Sequence, residues 1–264
     1  KINKFNLIKI FFLIVSQFFY TLYLTIKMKP DYIYAHWIFP QAFIAAIISK
    51  VTRTKFVFTS HGSDVTLLRK LSFLGKFILK FSISNAVKIT VVSEKNQKKI
   101  DEFININKHK EKIKVIPMGV NNKFYEQLST KNQITSEKTD FLYYGRLTKY
   151  KGIDLLIKSF KEINNNYPNT RLKIIGYGDM EKELKNLVKI YKLEKNVEFQ
   201  PFQSVNRIIE EIDKSNLVII PSVDTGFEFE AGPLTIVESM ARKRLCLVSS
   251  SVGFISYLDV STAL

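Results

Sequence analysis

One cysteine, Cys246, is all the thiol chemistry that the 264 residues hold. It excludes an internal disulfide and a thiolate metal cluster, and it fits a reducing compartment. The three histidines (His36, His61 and His109) are scattered, and the chain has neither a zinc-ligand set nor an Asp-x-Asp metal motif. Acidic residues are scarce as well: 24 against 40 Lys and Arg, for a formal charge of +16. That excess has two readings. One is compositional, because the chain is rich in Lys, Asn, Ile and Phe and poor in Ala and Gly. The other is attraction to anions, meaning phosphorylated substrates, anionic lipid or nucleic acid. Nucleic acid is the weakest of these, since the chain has no nucleic-acid motif and no aromatic-basic stripe. No solenoid repeat is present.

The chain opens on Lys1 and stops at Leu264, just after a strand-like run, so both ends are expected to be internal to a longer protein. The segment 5–26 is the one membrane candidate. Its most apolar part, 11–26, is 16 residues by position, short of the roughly 20 needed to span a bilayer. No small-residue cleavage site follows, which argues against a cleaved signal peptide. The segment is expected to be a largely buried or membrane-surface helix, with a signal anchor as the alternative.

Two long stretches alternate strand-like and helix-like patterns. In the first, a helix to about 26 precedes strands at 31–35, 55–60, 88–92 and 113–116, with helices at 41–50, about 71–84 and 94–103. In the second, strands at 141–144, 171–175, 197–199, 217–220 and 245–248 alternate with helices at 153–164, 180–191, 205–214 and 233–241. The strands are continuous β-branched or aromatic runs, such as Phe56-Val57-Phe58-Thr59 and Ile89-Thr90-Val91-Val92. Runs without alternation imply burial on both faces, hence parallel sheets covered by helices. The fold class is therefore α/β with two Rossmann-like domains, both incomplete, at 1–128 and 138–264, and a polar linker within 121–138. Right-handed crossovers would bring the carboxyl ends of the strands to one rim, where such folds bind ligands.

Four segments on that rim carry chemistry. Glu230-Ala231-Gly232-Pro233 leads into a helix that holds Glu238. Proline suits a first turn, and the unpaired amides there form a ready site for an anion or a sugar hydroxyl. At roughly 1.5 Å rise per residue the two carboxylates lie within about 10 Å of each other, so one hydroxyl-rich ligand can bridge them. The competing reading, an acidic helix start, accounts for Glu230 but not for Glu238. In Tyr144-Gly145-Arg146-Leu147-Thr148-Lys149-Tyr150-Lys151-Gly152, two cations follow a strand and precede a helix, which suits a diphosphate; a solvated basic loop is the alternative. Gly176-Tyr177-Gly178-Asp179 resembles a dinucleotide fingerprint but has Glu181 in place of the third glycine. It is expected to form a tight turn close to the base or phosphates, with Asp179 as helix cap. Ser60-His61-Gly62-Ser63-Asp64 places a histidine at a strand's end, as does Ala35-His36-Trp37. For both histidines a structural role stands beside a substrate contact, for His36 packing against Trp37. His109 reads as surface.

Together and in this order, these segments resemble the retaining glycosyltransferases of family 4, which have the two-domain GT-B fold. Glu230 and Glu238 match the family's glutamate pair, and Tyr144 to Gly152 its Gly-Arg-x-x-x-x-Lys-Gly loop. Ser60 to Asp64 is similar to its His-Gly segment, and Ile116-Pro117-Met118-Gly119-Val120 to its Ile-Pro-Asn-Gly-Val stretch. The resemblance implies transfer of a sugar from a nucleotide-diphosphate sugar to a saccharide or lipid-linked acceptor, in cell-surface polysaccharide or glycolipid synthesis. It implies that Glu230 and the amides of Ala231 and Gly232 hold the donor sugar, and that Glu238 binds the ribose. Arg146 and Lys151 would bind the diphosphate, with Gly145, Gly176 and Gly178 lining the donor site. His61 would align the donor sugar; His36, from its place on the rim alone, is read as packing beside Trp37 or as a contact on the acceptor side. No metal or other cofactor is expected. Departures from the pattern are Ala231 for a usual Gly, Met118 for a usual Asn, and no counterpart of the family's N-terminal Gly-rich acceptor loop or of its last helices.

A nucleotide-sugar epimerase of the same architecture is the nearest rival enzyme, and a non-catalytic nucleotide-sugar-binding or membrane-associated scaffold is the rival from another class. A dehydrogenase is disfavoured by the incomplete glycine fingerprint. The expected setting is cytoplasmic, with docking on an anionic membrane surface at its inner face as a separate expectation.

Overall fold

The computed structural model describes residues 4–126 and 140–253. The chain divides into two compact units, Lys1–Pro117 and Met118–Leu264. The linker expected over 121–138 lies for the most part outside the described residues.

The first unit opens on helix α1 (Lys4–Met28), followed by β1 (Tyr32–His36), a short irregular turn and α2 (Phe43–Thr52). Then come β2 (Lys55–Ser60), α3 (Ser63–Lys70), α4 (Ser72–Asn85), β3 (Lys88–Val91), α5 (Glu94–Phe103) and β4 (Ile113–Val115). The strands form one parallel sheet in the order β1-β2-β3-β4. Phe56, Phe58, Ile89 and Val91 supply its buried centre, with Leu68, Leu79, Ile83 and Ile100 from the helices packed on it. The helix expected near 71–84 is α4; α3, ahead of it, was not legible, because its buried residues include the polar Asp64 and Thr66.

The reading of segment 5–26 needs correction. The run Ile8–Met28 is 21 residues, long and apolar enough to cross a membrane, and almost none of it is buried. Phe11, Phe12, Leu13, Phe19, Tyr20 and Tyr23 are all exposed. The largely buried alternative is overturned, and the shorter count comes from stopping the apolar run at Phe11 and Ile26.

The second unit holds β5 (Asp140–Tyr144), α6 (Ile153–Asn166), β6 (Arg171–Ile175), α7 (Glu181–Ile190) and β7 (Val197–Gln200). It continues through α8 (Val205–Lys214), β8 (Leu217–Ile220), α9 (Leu234–Ala241) and β9 (Leu245–Val248). All pairings are parallel, in the order β7-β6-β5-β8-β9. Helices cover both faces: Phe160, Leu184 and Val188 pack on one side, and Ile208, Ile212 and Ile236 on the other. Both units are thus parallel sheets flanked by helices, as expected for two Rossmann-like folds.

Segment 118–126 packs with the second unit. Phe124 is buried in that core. Arg242, itself 3% exposed, donates from Nη1 to the carbonyls of Phe124 (3.3 Å) and Glu126 (2.8 Å). The same guanidinium grips Asp213 with Nε (2.8 Å) and Nη2 (2.5 Å).

Candidate active site

In the second sheet the chain reverses its direction of growth between β5 and β8. Open α/β sheets form a crevice at such a switch point, outside the carboxyl ends of the strands. The loops that leave β5 (145–152) and β8 (221–233) meet there. Val223 donates its backbone N–H to the carbonyl of Tyr150 at 2.8 Å. Gly152 has φ +67°, and a Cβ on it would stand 2.1 Å from the Pro221 carbonyl oxygen. Only glycine permits both that backbone and that approach.

Lys151 donates to Oε2 of Glu230, and the two side chains are 16% and 12% exposed. Ser222 Oγ donates to the same carboxylate oxygen at 3.4 Å. Arg146 is exposed and sends Nη2 to the Tyr150 hydroxyl at 3.0 Å. The Lys151 ammonium lies 5.4 Å from the centroid of that same ring. Tyr150 therefore links the two cations of the loop. Glu238 is joined to the end of β5: the Tyr144 hydroxyl donates to its Oε2 at 2.8 Å.

Burial pushes the Glu238 carboxyl above its usual range, and the Tyr144 hydrogen bond opposes that shift. Burial likewise raises the Tyr143 phenol, and the negative charge of Glu230 adds to the rise. The Tyr143 hydroxyl donates to the Arg146 carbonyl at 2.8 Å and so pins the loop's first turn.

The structure thus brings Lys151, Glu230, Glu238 and the Arg146 loop to one end of one sheet. Ala231 is buried, and Gly232 precedes α9, which begins at Leu234 with Pro233 in the cap position. Gly176 and Gly178 serve close packing of main chain on main chain. A Cβ at Gly176, with φ +150°, would stand 1.9 Å from the Gly145 carbonyl oxygen, and Gly178 abuts the Leu147 carbonyl. Asp179 does not cap α7, contrary to expectation; Met180 occupies that position without a side-chain hydrogen bond. Sequence reasoning missed Tyr143, Tyr144, Tyr150 and Ser222. The available signal was two adjacent phenols closing a buried strand, where each hydroxyl needs a partner.

His36 and His61 belong to the first unit; His36 ends β1, and His61 opens the loop after β2. The buried carboxylate of Asp64 organises their surroundings. It accepts from Ser60 Oγ (3.0 Å) and from the backbone N–H groups of Ile38 (3.1 Å), His61 (3.4 Å), Gly62 (2.8 Å) and Val65 (3.0 Å). Burial raises the Asp64 carboxyl, and these donors oppose the rise. His61 Nε2 lies 3.0 Å from His36 Nδ1, and the His36 ring also sits 4.5 Å from that of Tyr34. Burial lowers the His61 imidazole below its ordinary range; the Asp64 charge opposes this and the His36 ring adds to it.

A cavity of about 440 Å³ opens at the other end of the second sheet, among Asp140, Arg171, Lys173 and Glu211. Its central charges are already matched, Lys173 with Glu211 at 2.5 Å and Arg207 with Glu211 at 3.1 Å. Its place at the amino ends of the strands is also wrong for a switch-point ligand, so the geometry favours the opposite rim.

Known proteins share this sequence pattern and this architecture. Residues 124–259 match Glycosyl transferases group 1, and residues 4–124 match Glycosyltransferase Family 4. An uncharacterized glycosyltransferase of Methanocaldococcus jannaschii is 28% identical over 214 residues, covering 80% of this chain and 53% of the relative. The alpha-monoglucosyldiacylglycerol synthase of Acholeplasma laidlawii is 27% identical over 197 residues, covering 65% and 48%. The chain spans about half the length of these two relatives. The crystal structure of Anabaena HepE in complex with UDP-glucose superposes with a TM-score of 0.73 at 20% identity, over 94% of this chain and 65% of that one. With both sheets, the order of their strands and the two matches covering nearly every described residue, the chain belongs to the glycosyl transferases group 1 family and has the GT-B type of fold.

Proposed function

We propose that this chain forms the donor-binding part of a retaining glycosyltransferase that moves a hexose from a nucleotide-diphosphate sugar to an acceptor hydroxyl. The observation that carries this reading is the meeting of Lys151 with Glu230, beside Glu238 and Tyr144, at the switch point of the second sheet. Arg146, Lys151 and the amides that open α9 take the diphosphate. As the glycosidic bond breaks, negative charge grows on the leaving phosphate, and these fixed donors stabilise it; preorganised electrostatics of this kind usually contribute most to catalysis. Glu230 takes the sugar hydroxyls and Glu238 the ribose. The departing phosphate oxygen accepts the acceptor's proton on the same face, so the anomeric configuration is retained and no protein base is required. The reaction runs without a metal, and turnover in EDTA should match turnover in its absence.

The test uses the full-length protein. A thermal-shift screen of UDP, GDP and ADP sugars identifies the donor, and Arg146→Ala and Lys151→Ala are then assayed for transfer. Both variants should lose at least 100-fold in kcat, corresponding to about 2.7 kcal/mol of transition-state stabilisation. Wild-type turnover in either one refutes the phosphate assignment. Donor alone should give at most slow hydrolysis; an isomeric nucleotide sugar would mark an epimerase, and donor binding without transfer to any acceptor a scaffold.

A second reading concerns location. The exposed aromatic face of α1, with Lys9, Lys27 and Lys29 on or beside it and no acidic residue before Asp31, supports peripheral docking at the inner face of the membrane. There the enzyme would meet a lipid-linked acceptor for polysaccharide or glycolipid synthesis. Liposome binding should rise with anionic lipid and fall with salt; indifference to both rejects it.

A further inference from the structure

We propose that His36 is a positioning residue for His61: it engages His61 Nε2 and leaves His61 Nδ1, as a bare lone pair, to accept a hydrogen bond from a substrate hydroxyl. The inference deepens the proposed function and rests on it for the identity of the substrate. The pairing itself rests only on the first unit's geometry.

The contact is 3.0 Å between His36 Nδ1 and His61 Nε2, a hydrogen-bond distance that needs one proton between the two atoms. Two neutral arrangements meet that requirement. In one, His36 donates from Nδ1. In the other, His61 donates from Nε2 and His36 accepts at Nδ1. The second keeps both rings in the Nε2–H form that neutral imidazole prefers in water, so it costs neither ring a tautomer change. A proton on every nitrogen of both rings would leave two donors facing each other with no acceptor between them, so the contact excludes the doubly charged pair, and burial of the His61 ring opposes a charge on it. The other nitrogen of a histidine fixes the tautomer at its working nitrogen, and here that partner comes from the neighbouring strand.

The frame around the pair is rigid where it matters. The His61 backbone is held by the Asp64 carboxylate, which also binds Ile38, two residues beyond His36. Ser60, one residue before His61, accepts at its carbonyl from the buried Asn96 amide at 3.0 Å. β1 and β2 are in register up to His36 opposite Thr59, and the Trp37 N–H extends the ladder to the Thr59 carbonyl at 2.9 Å. The titratable and charged groups that face the His61 ring from these elements are His36 and Asp64. Asp64 already receives five donors, so His36 is the one ring partner among the described residues.

The test is a 15N NMR spectrum of the full-length protein together with turnover of UDP-glucose by the wild type, His36→Phe and His36→Asn. Asparagine carries an amide oxygen close to the place of Nδ1 and can accept from His61; phenylalanine cannot. A through-hydrogen-bond coupling between His61 Nε2 and His36 Nδ1, with His61 Nδ1 unprotonated, is the expected spectrum. His36→Phe should lose about tenfold in kcat with KM for the donor within twofold, and His36→Asn should recover most of the loss. No coupling, a protonated Nδ1 in neutral His61, or equal losses in both variants overturns the proposal. So does stoichiometric zinc binding that His36→Asn abolishes, which would make the pair a metal site. If no variant and no wild type turns over UDP-glucose, the spectrum alone decides the pairing, and the failure counts only against UDP-glucose as the donor.

Discussion

Lys151 donates to the carboxylate of Glu230 although 79 positions separate them in the chain. The contact exists because their loops leave the two strands that flank the switch point. It closes the β5 loop onto the β8 loop at the switch point of the sheet.

Breaking this pair should be felt in folding as well as in transfer. Lys151→Met leaves a largely buried carboxylate unmatched, and a double-mutant cycle with Glu230→Gln should give a coupling of about 1–3 kcal/mol in urea unfolding. A coupling near zero would show that the pair does not persist in solution.

Glu238 should make stability and donor binding respond oppositely to pH. Its folded carboxyl is raised, so the folded state holds its proton more tightly than the unfolded state. Stability from this group is therefore present below the ordinary glutamate range and falls as pH rises through the raised value. Glu238→Gln should flatten that fall in a Tm-against-pH series. Ribose hydroxyls favour the charged carboxylate, so wild-type donor affinity should tighten over the same interval and that of Glu238→Gln should not.

Gly152→Ala should displace the β8 loop. Its positive φ and the Pro221 carbonyl leave no room for a methyl group, and a loss of about 2–4 kcal/mol is expected in thermal or urea unfolding. Gly119→Ala serves as the control, since nothing lies within 4 Å of a Cβ there.

Asp64→Ala should destabilise the first unit. Four backbone amides and one hydroxyl lose their acceptor, and about 3 kcal/mol is expected from unsatisfied donors at this buried turn. Hydrogen exchange should report the loss at Ile38, Gly62 and Val65 first.

Much of this was legible from the chain alone. Strands 55–60, 171–175, 217–220 and 245–248 agree residue for residue with β2, β6, β8 and β9, because uninterrupted β-branched runs between polar turns have few other uses. Helices 94–103 and 205–214 agree equally well; Ser93 and Ser204 cap them. The candidate glutamates and cations could be nominated because their spacing is local to two segments, the loop after β5 and the run from the β8 loop into α9. Their mutual contact could not, since it depends on strand order, and sequence does not print which strands are neighbours. The partnership of His36 with His61 was hidden for the same reason: their rings meet through the register of β1 on β2. The exposure of α1 was hidden too, because an apolar helix reads alike whether a core or a lipid phase is meant to receive it.

The loops after β5 and β6 rest on one another through peptide groups: Gly145 on Ile175, Leu147 on Tyr177, and Met180 on Leu147. A surface knit from peptide groups is indifferent to most side chains, but not at Gly176 and Gly178, where any Cβ would strike the neighbouring carbonyl. Exchange elsewhere on these two loops leaves their backbone contact in place, whereas a side chain at either glycine would prise the loops apart.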